Sequence, residues 1–239
     1  MQARRALQNR PLTRLLRLRR ALYTSPSTPS LQVKLARAAS LNSKIIQLRQ
    51  HINPNLNLLV RDKLRYMWTY HSNSLEGNSL TLEETTFFLR ERLTIHGKRF
   101  TEFLQDDRDE SLEPQLQTLC DSIAEMDRDD SVSPIVRAAL AHYNLVHRHP
   151  FQTRNRQLGR ILMNKILMNR HYPPAIIKDS QRTDYLWQHH RASGEHLDPF
   201  IEFVADATLE TQETVMNVIR KHTQSSDDLM ENNSWRTRA

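Results

Sequence analysis

Four glycines in 239 residues leave this chain little material for tight turns, and that scarcity limits its fold more than any other feature. Hairpins and bulges call for positive φ, which glycine supplies most cheaply. No stretch alternates apolar and polar residues as a half-buried strand would, whereas apolar residues recur at three- and four-residue spacing along most of the chain. The expectation is an all-α protein. Its length suffices for one domain with a sizeable core plus extensions. The single cysteine, Cys120, excludes an internal disulfide framework and a four-cysteine zinc site. No apolar run approaches the roughly 18 to 20 residues of a spanning helix.

Local signals divide the chain. Ser25 to Ser30 (S-P-S-T-P-S) reads as a linker. A polar-faced helix over residues 31–50 breaks near Asn53-Pro54-Asn55, and a second runs from about Val60 to Ser72 with Leu64, Met67 and Trp68 as its buried stripe. Thr81, with Glu84 three places on, forms a capping box that opens a helix to about Leu93. Further helices are expected at Pro114 to Met126, Pro134 to His147, Leu158 to Met168 and Asp198 to His222. In the second of these, Val136, Leu140 and Tyr143 are spaced to face a core. Cys120 shares a helix face with Leu116, Leu119 and Ile123, which points to burial rather than reactivity. The expected division is 1–30 extension and linker, 31–59 helical segment, 60–222 main domain, and 223–239 polar disordered tail.

Charge is distributed unevenly. The net +7 comes from the first 61 residues, which hold 12 Lys and Arg and no acid; the rest carries 22 basic and 27 acidic residues. A basic extension on a mildly acidic domain argues against a nucleic-acid surface. Within the extension Leu12, Leu15, Leu16 and Leu22 fall on one side of a helix, with Arg14, Arg17 and Arg20 on another. An Arg-, Leu- and Ser-rich leader without acids has the composition of a mitochondrial presequence. Arg20-Ala21-Leu22-Tyr23 before Thr24-Ser25 resembles a matrix-peptidase site, so mitochondrial localisation is the expectation.

Residues 149 to 160 read H-P-F-Q-T-R-N-R-Q-L-G-R. They resemble the signature loop of the Fic (Fido) family, H-x-F-x-[DE]-G-N-G-R-x-x-R, keeping His149, Phe151, Asn155 and Arg160. Tyr70 to Leu82 (Y-H-S-N-S-L-E-G-N-S-L-T-L) is similar to the family's inhibitory motif [ST]-x-x-x-E-[GN], with Ser72, Glu76 and Gly77 at its defined positions. Ile161 to Asn164, Tyr172 to Ile177 and Leu197 to Phe203 resemble the helix, turn and last helix that follow. Together these segments cover residues 60–215. The resemblance implies a Fic-type helical bundle and transfer of AMP from ATP, with Mg²⁺, to a protein hydroxyl. By position His149 would be the general base, Asn155 and Arg160 phosphate ligands, and Glu76 the inhibitor paired with Arg160. The family's flap hairpin is expected to be missing between Leu93 and Pro114.

The loop departs from the pattern where the chemistry is most demanding. Thr153 stands in place of the acidic Mg²⁺ ligand, and a neutral hydroxyl is a poor substitute for anionic oxygen. Arg154 and Arg156 replace both glycines, at a cost of roughly 1–2 kcal/mol for each left-handed position retained. Gln157 replaces the first arginine. Arg156 nevertheless brings a phosphate-binding guanidinium to the place where the Doc branch of the family has a lysine. His142, His147 and His149 match no familiar ligand spacing, so no metal site is expected. The preferred expectation is a pseudoenzyme or binding module with an unidentified protein partner; the alternative is an active protein adenylyltransferase held off by Glu76.

Overall fold

The computed structural model describes residues 28–91, 132–149, 151, 153–192 and 196–234. Residues 1–27 of the presequence-like extension, the helix expected around Cys120 and the segment expected to lack the hairpin lie outside the described residues. Those that are described form α1 (Pro29–His51), α2 (Pro54–Ser74), α3 (Leu82–Glu91), α4 (Pro134–Arg148), α5 (Asn155–Asn169), a 3-10 turn (Asp179–Gln181), α6 (Arg182–Arg191) and α7 (Asp198–Ser234). No strand occurs among the described residues, as the scarcity of glycine and of alternation implied.

The bundle is built around α4. Every residue from Ile135 to Val146 is buried except Leu140, which is partly so. The amphipathic reading of this helix was therefore too modest: short side chains such as Ala138, Ala139 and Ala141 let neighbours close on all sides of it. Arg137, within this buried stretch, folds back to donate to the Val132 carbonyl from Nε (2.9 Å) and Nη2 (2.7 Å). Helix α5 makes the most extensive contact with α4, and α7 covers a further side with Phe200, Ile201, Val204 and Ala205. Burying a side chain such as Phe200 contributes about 1.5–3 kcal/mol.

Helix α1 lies along α7. Leu31, Ala38 and Ile45 form its buried stripe, while Lys34 bridges Glu202 (2.7 Å) and Asp206 (2.8 Å) at the rim. The stretch assigned to a linker contains this helix's start. Thr28 is the N-cap, its Oγ1 accepting from the Leu31 amide at 3.3 Å, and Pro29 occupies the first turn, where a missing N–H costs nothing. A second core of Val60, Leu64, Ile176, Val215, Met216 and Ile219 joins α2 to the far half of α7. The Thr81–Glu84 capping box is formed, with bonds of 2.8 and 3.2 Å.

Between α5 and α6 the chain runs extended through the core. Asn164 holds it, accepting from the Ala175 amide (2.8 Å) and donating to its carbonyl (3.3 Å). Helix α7 continues to Ser234, twelve residues past the expected end at His222, and the added stretch contains neither glycine nor proline to stop it.

Candidate functional site

The loop between α4 and α5 begins and ends on left-handed residues. His149 (φ 46°) closes α4, and Arg154 (φ 61°) precedes α5 as its N-cap. Of the two arginines standing for glycines, Arg154 thus keeps the conformation that favours glycine, whereas Arg156 sits inside α5 with ordinary helical geometry. Only one of the expected backbone penalties is incurred. Arg154→Gly should therefore raise the stability of the folded chain by about 1 kcal/mol, the relief being partly offset by a freer unfolded state. A chemical-denaturation series would check this, and an unchanged midpoint would mean that the loop relaxes around the side chain.

Asn155 organises the loop from inside. It is buried; its Oδ1 accepts from the Phe151 amide (3.0 Å) and its Nδ2 donates to the Phe151 carbonyl (2.7 Å). These two backbone partners fix which end of the amide is which. The remaining hydrogen on Nδ2 faces His149 Nδ1 at 3.2 Å.

Arg160 is the most enclosed cation of the site, 2 % exposed. Its Nε donates to Ser72 Oγ (3.1 Å), and Nη2 donates to the Ser72 carbonyl (2.8 Å) and to Glu76 Oε1 (2.9 Å). On its other side Nη1 reaches the Tyr185 hydroxyl (3.5 Å), whose ring lies 5.8 Å from the guanidinium carbon. Tyr185 in turn meets His142 Nε2 at 2.9 Å. Burial, and then the charges of His189 and Arg160, hold His142 well below the usual histidine range, so it stays neutral.

Arg156 adds a second guanidinium to the same carboxylate, its Nη2 standing 4.0 Å from Glu76 Oε2. Gln157 donates to Asn73 Oδ1 at 3.2 Å. The end of α2 is thus joined to the start of α5 at three successive contacts. Glu76 itself leaves α2 through a turn in which Gly77 adopts φ 94°. Upstream, Asp179 Oδ2 accepts from Tyr70 (3.1 Å), and its Oδ1 lies 3.2 Å from His71 Nδ1.

His189 shows the electrostatic character of the loop surface. Burial first, and then the charges of His147, Arg156, His149 and His190, push its pKa down to about 4. Positive groups converge here. A divalent cation does not fit: Thr153 is an exposed neutral hydroxyl, Arg154 and Arg156 flank the loop, and Glu76 is engaged by two guanidiniums. Among the described residues no group of three or more His, Cys, Asp or Glu side chains could hold a metal.

The structure therefore brings together Ser72, Glu76, Arg156 and Arg160, places Gly77 in the turn beside them, and joins His149 to Asn155. Sequence reasoning missed Tyr185, His142 as its partner, and Gly159. A Cβ on Gly159 would stand 2.9 Å from Val146 Cγ2 and 3.0 Å from His142 Cδ2. A lone glycine inside a helical pattern is a signal for such close packing. Tyr185 sits in a largely polar segment and gives no comparable signal.

A helical bundle whose signature loop feeds the start of a helix, with a carboxylate from another helix over it, defines a class of proteins. Residues 90–167 match the Fic/DOC family, so the chain carries a domain of that family. It is distantly related to protein adenylyltransferase Fic. The relative from Drosophila willistoni is 30 % identical over 231 residues, covering 73 % of this chain and 46 % of the relative. That from Drosophila grimshawi is 30 % identical over 197 residues, covering 59 % and 41 %. The chain thus spans less than half the length of these curated relatives. In fold it is similar to Fic-1 (residues 134–508) from C. elegans, with a TM-score of 0.64 at 23 % identity, covering 78 % of this chain and 71 % of that one. A Fic-domain-containing signaling protein from Bacteroides thetaiotaomicron gives 0.64 at 17 % identity, covering 79 % and 98 %.

Proposed function

We propose that this chain is a Fic-family pseudoenzyme, a bundle that has lost AMP transfer and serves as a binding module. The observation that carries this reading is the exposed Thr153 hydroxyl at the acidic position of the loop, flanked by Arg154 and Arg156. Glu76 is already held by Arg160 and Arg156, so the phosphates are left without an anionic metal ligand to position them for transfer.

One observation favours a second reading. Ser72, Glu76 and Arg160 form the contact that an adenylyltransferase restrained by Glu76 would use, with the carboxylate 2.9 Å from the guanidinium. The two readings part on a single assay. The Glu76→Gly chain is incubated with α-labelled ATP and Mg²⁺, and its mass and bound label are followed. No label, and the same outcome for Glu76→Gly/His149→Ala, is expected of the pseudoenzyme. Stoichiometric label that disappears with His149→Ala would establish the enzyme and end the first reading.

A further inference from the structure

Along the outer seam of α1 and α7 the side chains are spaced to receive a third helix. On α1, Arg37, Leu41, Lys44, Leu48 and His51 follow one another at alternating four- and three-residue intervals; on α7, Glu213, Met216 and Arg220 do the same. That spacing keeps each set on one face of its helix. Between the two faces run three adjoining cavities of about 430, 620 and 430 Å³. The first two share Lys44 and Met216, and the last two share His51. From Arg37 to His51 the groove follows about 21 Å of helix, at 1.5 Å per residue.

The floor of this groove is apolar and its rim is cationic. Met216 is buried at the bottom, Leu41 is half-buried, and Leu48 is 37 % exposed. Among the described residues Glu213 is the only carboxylate in the lining, and Arg37 already holds it at 2.5 Å. Lys44 and Arg220 are exposed, and neither has an ion-pair partner among the described residues. The acid-free first 61 residues thus place part of their charge on the folded bundle as well as in the leader.

We propose that the α1–α7 groove is the docking site for an acidic amphipathic helix of about 14 residues from a partner protein. The leucine-like stripe of that helix would lie on Leu41, Leu48 and Met216, whose flexible thioether adapts to the incoming side chains. Its carboxylates would meet Lys44 and Arg220. Single-stranded nucleic acid is a poorer fit, because the lining offers no Phe, Tyr or Trp for bases to stack on. An anionic bilayer would reach the cations of the rim but not the recessed Met216. The proposal rests on the binding-module reading above and gives that module a partner class. The groove nevertheless shares no residue with the signature loop or with the Glu76–Arg160 contact.

The test is fluorescence anisotropy of the full chain with three labelled helical peptides of that length. All carry the same leucine stripe, and they differ only in having Glu, Gln or Lys at the flanking positions. The expected result is saturable binding of the Glu peptide, at least about tenfold tighter than the Lys peptide, with a gap that narrows as added salt screens the rim. Lys44→Glu/Arg220→Glu should reverse the preference, so that the Lys peptide binds more tightly. Lys44→Gln/Arg220→Gln serves if the reversal unsettles the seam, and should bring the three peptides to within about threefold of one another. Thermal unfolding reports the folding of each variant.

Equal affinity of the parent chain for the Glu and Lys peptides, no saturable binding at millimolar peptide, or a preference untouched by either double variant would overturn the proposal. So would self-association, or binding to phosphatidylserine vesicles, that the double reversal abolishes and the Glu peptide does not displace. The pseudoenzyme reading fails on a different measurement, transfer of label to protein. Glu-peptide binding together with label transfer would sink that reading and leave the groove standing.

Discussion

Arg160→Met should destabilise the folded chain by about 3 kcal/mol, the lower end of the cost of breaking a buried charged pair. For a domain of this size that is about 6–12 °C in Tm. Ser72 loses partners on both its hydroxyl and its carbonyl, and Tyr185 loses the donor opposite His142. Glu76 is less costly to strand, because its side chain is 28 % exposed and can turn to water. This is why the lower end applies. The measurement is thermal and denaturant unfolding of the full chain beside Arg160→Lys, which keeps the charge but not the fork. A Met variant within 2 °C of the parent would mean that Arg160 is retained for binding and carries no structural load.

The second large effect is expected at Gly159. Its Cβ would meet Val146 at 2.9 Å and His142 at 3.0 Å, and both side chains are enclosed, at 3 % and 0 % exposure. Neither is the loose end of a flexible chain, so α4 and α5 must part. Gly159→Ala should cost about 1–3 kcal/mol despite alanine's better helix propensity. The same movement should disturb the 2.9 Å contact between His142 and Tyr185, which imidazole ¹⁵N shifts of His142 would report. An alanine variant as stable as the parent would show that the two helices have slack here.

Most helix starts were legible because their signals are local. Thr81 with Glu84, and Pro134, each mark a start within a residue or two, whereas α2 begins at Pro54, six residues before the expected Val60, because the proline read as a break is the first residue of the helix. Helix α6 was not legible: of its ten residues, R-T-D-Y-L-W-Q-H-H-R, only Tyr185 is buried, which leaves no periodic stripe to read. The meeting of Glu76 with Arg160 was expected from the family resemblance, yet the contact spans 84 residues and no local pattern encodes it; that Ser72 also holds Arg160 was not foreseen. The role of Asn155 was hidden for another reason. Its type fits a phosphate ligand equally well, and only the loop's path shows its amide committed to Phe151. Arg156 read both as a Cβ in a glycine's place and as a phosphate-binding guanidinium; its helical backbone and its reach to Glu76 emerge only once α2 is set beside α5.

Asp179 and Tyr185 sit six residues apart, one gripping α2 through Tyr70 and His71, the other backing Arg160 on α5. The 3-10 turn and α6 therefore act as a brace across the two elements that hold Glu76. With both ends clamped, a rigid swing of α2 would have to break the Asp179 contacts and strip Arg160 of its support together. Loosening only the turn after α2, from Glu76 to Ser79, is mechanically cheaper, because Gly77 already bears the positive φ and these residues are exposed. Whatever dislodges Glu76 need then move only a few residues of backbone, and the frame that aims Arg160 stays where it is.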